Sequence, residues 1–474
     1  MSAAMLPISR AAVRCDPDRR ATASAPIGPG LETYTDARTM QSLLQARLPG
    51  FADGGLRIES LEVCKVRRNA SRHRNPCPMT LCYELQVSDI ASGKTGPQML
   101  YAKVFRDGLA ASHFQAQNHG HLVTPAFGNA LVHLRELNML IWALPNDSDL
   151  PQLALLLDPA RVEAMLPWAA LRESMGLALA ELGNAGVDML RYEPQCRATL
   201  RYILTPADGS KPYVLYAKTF HGNHAEDIDR RFDYFWNLAA TDASAPLVAQ
   251  PLGYCTVTQT LWQAPAPGRP LLQSINRHNG AALMESVARA LTLLHAAPLT
   301  PSADATPRSA AHWLTEARRR QKKISRANPA LAARATDVAD AIVVNTWYQS
   351  TRPLSLIHGD FHPDQIWVHG ERIVLFDFDE FTLGDPMEDL ASFALRLEQT
   401  CSVAGLSSRL IEHYAALAPE RFDRRSLNWH LTVQSLLQAS RAFVFQQPGW
   451  ADELERRLAR SEQFAAQLNM ESAT

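Results

Sequence analysis

The sequence has no excess of charge of either sign: 47 Lys and Arg face 48 Asp and Glu, for a net charge of −1. The broad basic field that draws proteins to nucleic acid is therefore missing, and no nucleic-acid partner is expected. Cysteine is scarce and unpatterned. The seven cysteines, at 15, 64, 77, 82, 196, 255 and 401, form no CxxC pair, so neither a disulfide framework nor a zinc site is indicated. Isolated thiols in a reducing compartment are the expectation. No apolar run approaches the ~18 residues of a membrane helix. The opening stretch carries Arg10, Arg14 and Asp16 where a secretory leader needs apolar residues. A cytoplasmic protein without a membrane partner is expected. Two familiar catalytic patterns are missing as well. There is no GxSxG nucleophile elbow, and Ser88 stands where a phosphate-binding GxxxxGK[ST] loop ending at Gly93-Lys94-Thr95 would need glycine.

What is present is ordinary globular material, 46% hydrophobic and 20% charged, which excludes disordered and collagen-like classes. A length of 474 residues suggests roughly three folding units at about 150 residues each. Residues 1–30 are rich in Ala, Pro, Ser and Arg without periodicity and read as a flexible tail. Beyond them lies an internal repeat. Met99-Leu100-Tyr101-Ala102-Lys103-Val104-Phe105 matches Val214-Leu215-Tyr216-Ala217-Lys218-Thr219-Phe220. Upstream, Thr80 to Leu85 matches Thr199 to Leu204, and Val66-Arg67-Arg68 matches Leu190-Arg191-Tyr192. Downstream, Leu140-Ile141-Trp142-Ala143 resembles Thr260-Leu261-Trp262-Gln263. Each copy reads as two strands, a Gly/Ser/Pro turn, a third strand, a helix or loop, and two more strands. Only the second copy continues into an acidic amphipathic helix, from His224 through Glu226 and Asp229. Between the copies, Asp158-Pro159 has the form of a helix cap, and Gly183 and Gly186 are expected to end a helix.

The densest chemistry lies between Leu354 and Ser392. A strand runs into His358-Gly359-Asp360, with Gln365 just beyond. A hairpin, Ile366 to Val368 and Ile373 to Phe376, turns at His369-Gly370 and delivers Asp377. Two loops at adjacent strand ends thus bring Asp360, Gln365 and Asp377 together. Such oxygen donors suit Mg²⁺, which binds through few carboxylates plus substrate phosphates. Phosphoryl transfer needs that metal, a carboxylate to orient the attacking hydroxyl, and a lysine on the phosphates.

These residues resemble the aminoglycoside phosphotransferase and choline kinase-like family, a small-molecule branch of the protein-kinase-like fold. Its HGDxHxxN loop is matched by His358-Gly359-Asp360-Phe361-His362-Pro363-Asp364-Gln365, and its DFxxxxxGDPxxDLA segment by Asp377-Phe378, Gly384-Asp385-Pro386 and Asp389-Leu390-Ala391. Pro267-Gly268-Arg269-Pro270-Leu271 and Leu294-His295 extend the resemblance upstream. The resemblance implies ATP and Mg²⁺ as cofactors and a small-molecule hydroxyl as substrate. It makes Asp360 the catalytic carboxylate, braced by His358, with Gln365 and Asp377 on Mg²⁺. Lys218 would contact the nucleotide phosphates, paired with Glu226 or, as second choice, Asp229. Asp385 would cap the helix after GDP, and Asp389 would be a buried structural acceptor.

Two departures stand out. Gln365 replaces the usual Asn, keeping the amide oxygen but adding a methylene. No strict GxGxxG is present in the second copy; the turn from Tyr192 to Arg197 takes its place, so that Arg197 either touches phosphate or is an exposed turn residue. A basic run, Arg318, Arg319, Arg320, Lys322, Lys323 and Arg326, has two readings as well: an anion-binding helix or a solvated helix face.

The expected architecture is α+β, a protein-kinase-like two-lobe fold with a degenerate duplicated N-lobe in front. The expected order is a tail (1–30), the degenerate repeat (31–150), a helical linker (151–186), the kinase-like N-lobe (187–265) and a helical C-lobe with the catalytic loop (266–474). The expected function is an ATP-dependent phosphotransferase acting on a small-molecule hydroxyl. The alternative is a catalytically weak nucleotide-binding scaffold whose extra lobe docks a partner. A protein kinase fits less well, because GDPxxDLA replaces an APE-type segment after Asp377.

Overall fold

Strict alternation of apolar and polar residues builds the sheets. In Arg197–Pro206 every second residue, Ala198, Leu200, Tyr202 and Leu204, is buried. The computed structural model describes residues 33–472 apart from 69–76, 78, 107, 118, 177–181, 223–224, 301–305, 347–353 and 446–448. The expected tail over 1–30, and His224, lie outside the described residues.

The first lobe opens with α1 (Ala37–Arg47), capped by Asp36, whose side chain accepts from the Thr39 N–H. Met40 and Leu44 of α1 pack on a sheet of β1 (Leu56–Arg68), β2 (Met79–Asp89), β3 (Thr95–Val104), β4 (Leu131–Leu134) and β5 (Met139–Ala143), with α2 (Ala110–Gln115) between β3 and β4. Its strand order is β1-β2-β3-β5-β4. A linker follows, made of α3 (Leu153–Leu156), α4 (Pro159–Val162) and α5 (Trp168–Met175). Asp158 caps α4 with Pro159 in its first turn.

The second sheet comprises β6 (Leu182–Glu193), β7 (Arg197–Pro206) and β8 (Tyr213–Phe220); then come α6 (Ala225–Thr241), β9 (Leu247–Val248), β10 (Pro251–Cys255) and β11 (Thr260–Gln263). Its order, β10-β11-β8-β7-β6, repeats the first sheet element for element. The registers agree too. Lys103 faces Thr80 and Leu140, and Lys218 faces Thr199 and Leu261. Two details differ from the sequence expectation. Leu140 is the counterpart of Leu261, so the two tryptophans sit one position apart: Trp142 faces Tyr101, whereas Trp262 faces Ala217. Gly183 and Gly186 lie inside β6, not at a helix end. Added bulk at Gly183 would meet the Ala207 backbone at 2.9 Å, beside an irregularity between Leu182 and Asn184. A glycine that permits close strand approach and one that ends a helix look alike in sequence.

The helical lobe follows as β12 (Arg269–Pro270), α7 (Leu271–Ser274), α8 (Gly280–His295), α9 (Ala310–Ala327), α10 (Ala332–Val344), β13 (Ser355–Ile357), β14 (Ile366–His369), β15 (Arg372–Leu375), β16 (Thr382–Gly384), α11 (Pro386–Thr400), α12 (Leu406–Leu417), α13 (Arg424–Phe445) and α14 (Trp450–Ser472). One core joins α6, α8, α11 and α12 beneath the loops at 358–381. A second joins α9, α10, α13 and α14 around Trp313 and Trp429. The connection from β11 enters the helical lobe at Gly268 (φ +95°), where a Cβ would stand 2.4 Å from the Val368 carbonyl oxygen. Only glycine lets β12 lie against β14 there. Among the described residues no helix is long and apolar enough to cross a membrane.

Candidate active site

Strand β13 delivers His358-Gly359-Asp360 into a loop clamped from behind. The buried Asp389 carboxylate accepts the backbone N–H of His358 at 2.6 Å and of Gly359 at 2.9 Å. It also meets Nε2 of His295 at 3.1 Å, while His295 Nδ1 meets the Tyr414 hydroxyl at 2.7 Å. Burial opposes ionisation of Asp389, but these donors hold its carboxyl below the usual range. His358 is itself buried, and its Nε2–H donates to the Phe376 carbonyl at 2.9 Å. That bond ties the Asp360 loop to the residue preceding Asp377. Gly359 has φ +81°, and a Cβ there would lie 2.3 Å from the Glu380 carbonyl oxygen. Asp360 is left with its side chain 40% exposed, 3.7 Å from His362. Burial works against its ionisation, yet His362, His358 and Arg441 hold its carboxyl low.

Asp377 adopts a left-handed conformation at φ 62°, a geometry that costs free energy and gathers at working sites. One of its oxygens lies 2.5 Å from Lys218 Nζ, and the other accepts from Gln365 Nε2 at 3.2 Å. Asp379, two residues on, lies 2.7 Å from the same Lys218 Nζ and also bonds Arg197. Arg197 is 3.6 Å from Asp377 and 3.4 Å from Glu193. Burial resists the Asp377 charge, but Lys218 and Arg197 overcome it and hold the carboxyl far below the ordinary range. Thus Asp360, Gln365, Asp377, Lys218 and Arg197 are brought together, and Arg197 is no exposed turn residue: its side chain is 22% accessible.

The expected helix-acid partner of Lys218 is not in place. Glu226 sits beside the Tyr254 hydroxyl. Asp229 is buried with one oxygen unpartnered among the described residues, and burial followed by Asp233 pushes its pKa up to about 7. Lys218 is instead claimed by two aspartates more than 150 positions away. Asp379 was the residue missed. Its only sequence signal is its place two residues after Asp377, on the same loop. Asp385 caps α11, accepting from the Met387 N–H at 3.0 Å.

The first lobe reaches this site. Asp147, just after β5, accepts the Tyr192 hydroxyl at 2.6 Å and the Gln195 N–H at 2.9 Å, and Gln195 also bonds Asp149. Lys65 of β1 lies 3.6 Å from Glu193. The turn that stands where a glycine-rich loop would be is therefore held from outside by the duplicated lobe. Lys103 lies 5.7 Å from the Trp142 ring centre, where burial pushes its pKa down and Asp149, Cys77 and Asp147 oppose the shift.

Asp360, Gln365 and Asp377 line one end of a cleft of about 1150 Å³ whose far wall is α9, α11, α13 and α14. Of the basic run, Arg320 faces this cleft, while Arg318 and Arg319 pair with Asp340 and Glu316. No cluster of three or more His, Cys, Asp or Glu suited to a metal occurs among the described residues. One carboxylate, Asp377, and one amide, Gln365, could hold a hard cation that takes its remaining ligands from phosphate and water.

A five-stranded lobe with a lysine on its third strand, set over a helical lobe that supplies paired carboxylate loops, is the layout of kinase-like phosphotransferases. Within that class, residues 198–430 match the model of the phosphotransferase enzyme family (APH), in keeping with the resemblance read from the sequence. Solved structures similar to the chain include a thermostable mutant of aminoglycoside phosphotransferase APH(4)-Ia in apo form, at 14% identity and TM-score 0.43, covering 65% of this chain and 99% of that one. The streptomycin–ATP–APH(2")-IIa ternary complex is another, at 13% identity and TM-score 0.41, covering 63% and 97%. No curated protein sequence matches the chain.

Proposed function

We propose that the chain is an ATP-dependent phosphotransferase that moves the γ-phosphoryl group of ATP to a hydroxyl of a small molecule. The observation that carries this reading is the convergence of Lys218, Arg197, Asp377, Gln365 and Asp360 at one end of the cleft. Asp360, exposed and kept ionised, orients the acceptor hydroxyl and takes its proton. Lys218 and Arg197 bind the nucleotide phosphates, and Gln365 with Asp377 would hold Mg²⁺. When bound, the metal supplies charge neutralisation at the phosphates. His358 is a positioning residue, because it touches the loop backbone and not the cleft. The first lobe contributes by holding the Tyr192–Arg197 turn, the surface that would cover the nucleotide.

Gln365, which stands where the family has Asn, favours a second reading, a nucleotide-binding scaffold without turnover. An ATP-consumption screen over hydroxyl-bearing metabolites, with Asp360→Ala as control, separates the two. The phosphotransferase reading expects consumption with some acceptor and a loss of roughly 100-fold or more in the variant. ATP binding without consumption across the screen would favour the scaffold.

A further inference from the structure

Four helices along the wall of the cleft contribute five arginines: Arg320 from α9, Arg396 from α11, Arg441 from α13, and Arg456 and Arg457 from α14. Four are already neutralised. Arg320 lies 2.9 Å from Glu316, Arg396 3.3 Å from Asp364 and Arg457 2.5 Å from Glu453, which also pairs with Arg456. Arg441 makes no hydrogen bond or ion pair with any described residue, although it lines the same cleft. A guanidinium does not shed its proton, so this charge stays, and Arg441 is exposed to the cleft, open to an oxyanion. Arg441 is thus the arginine of this wall that no described residue pairs, in the cleft that Asp360 also lines.

We propose that the phosphoryl acceptor is an anionic hydroxyl compound whose phosphate or carboxylate group is held by Arg441, in the cleft that Asp360 also lines. This rests on the phosphotransferase reading only for the word acceptor. A planar guanidinium binds such an oxyanion through two parallel hydrogen bonds. With the anion held there, the rest of the acceptor lies in the cleft that Asp360 lines. A polycationic acceptor would find Glu316, Asp364 and Glu453 each spent on an arginine of the same wall, with Asp452 the one further acid on that wall.

The test has two arms on the full chain. First, sulfate binding is measured by calorimetry on the wild type, Arg441→Ala, Arg441→Gln and Asp158→Ala, whose residue caps α4 and does not line the cleft. A bidentate charged contact predicts an affinity loss of about tenfold or more in both Arg441 variants, with Asp158→Ala close to wild type. Two Arg441 variants that fold and bind sulfate like wild type would overturn the proposal. Second, ATP consumption is compared among phosphorylated polyols, hydroxy acids, neutral sugars and aminoglycosides. Turnover confined to the first two groups, with KM for the acceptor raised in Arg441→Gln and KM for ATP unchanged, supports the proposal. Which of the two groups is used tells phosphate from carboxylate. Preferential turnover of neutral or polycationic acceptors overturns it. If no acceptor is turned over, the phosphotransferase reading falls, and the sulfate arm alone decides the anion site.

Discussion

Replacing Asp147 with Ala tests whether the duplicated lobe serves the active site. Asp147 is 5% exposed and accepts four hydrogen bonds: from the Tyr192 hydroxyl at 2.6 Å, the Gln195 N–H at 2.9 Å, the Asp149 N–H at 2.8 Å and the Leu150 N–H at 3.2 Å. The last two are local to its own turn. The first two cross from the first lobe to the turn between β6 and β7. Hydrogen bonds to a charged group contribute about 1.5–3 kcal/mol each, so losing the two crossing bonds should cost about 3 kcal/mol or more. If about half of that cost falls on ordering the turn over the nucleotide, ATP affinity should drop about tenfold. Tyr192→Phe removes only the hydroxyl and should show a smaller loss in the same direction. Asp158→Ala, which removes the cap of α4, serves as the control: about 1 kcal/mol of stability lost and ATP affinity unchanged. The assays are a titration with a fluorescent ATP analogue and urea unfolding. An Asp147→Ala protein that is destabilised yet binds ATP like wild type would refute the coupling and leave the lobe a purely structural addition.

Two further outcomes follow from buried charge. Asp379→Asn leaves Lys218 and Arg197 to share Asp377, and removing one member of a buried ionic set should cost about 3 kcal/mol or more in urea unfolding; a change below about 0.5 kcal/mol would mean that Asp379 is not needed there. Asp229 concerns pH. Its folded pKa of about 7 lies above the roughly 3.9 of an unfolded aspartate. The folded state therefore holds the proton more tightly, and this contribution to stability is full below about pH 4 and lost as pH rises through about 7. Asp229→Asn cannot ionise, so its stability relative to wild type should rise between pH 5 and pH 8, by about 2.5 kcal/mol. A difference that stays flat between those pH values would contradict the buried, unpartnered state of Asp229.

The parts legible in sequence were those encoded locally. The heptapeptide around Lys103 and Lys218 disclosed the duplication, because strand alternation and the lysine recur together, and the sheets repeat in order and register. The loop from His358 to Gln365 and the hairpin to Asp377 were readable for the same reason. What escaped was set by contacts across great sequence distance. Lys218 was expected to find an acid on the next helix, yet Asp377 and Asp379 sit closer in space. The bridge from Asp147 to Tyr192 joins two lobes and leaves no local pattern. The one-residue offset of Trp142 against Trp262 shows how a shared residue type can mislead an alignment that strand pairing corrects. Arg441, one arginine among many in the sequence, acquires meaning only when four helices converge.

The most direct test of the central claim is product analysis by phosphorus NMR. Wild-type chain and Asp360→Ala are each incubated with ATP, Mg²⁺ and an acceptor drawn from the consumption screen. The account predicts a new phosphate-ester signal on the acceptor with wild type, its loss in Asp360→Ala, and retained ATP binding by that variant. The same ester signal formed at an equal rate by Asp360→Ala would contradict it.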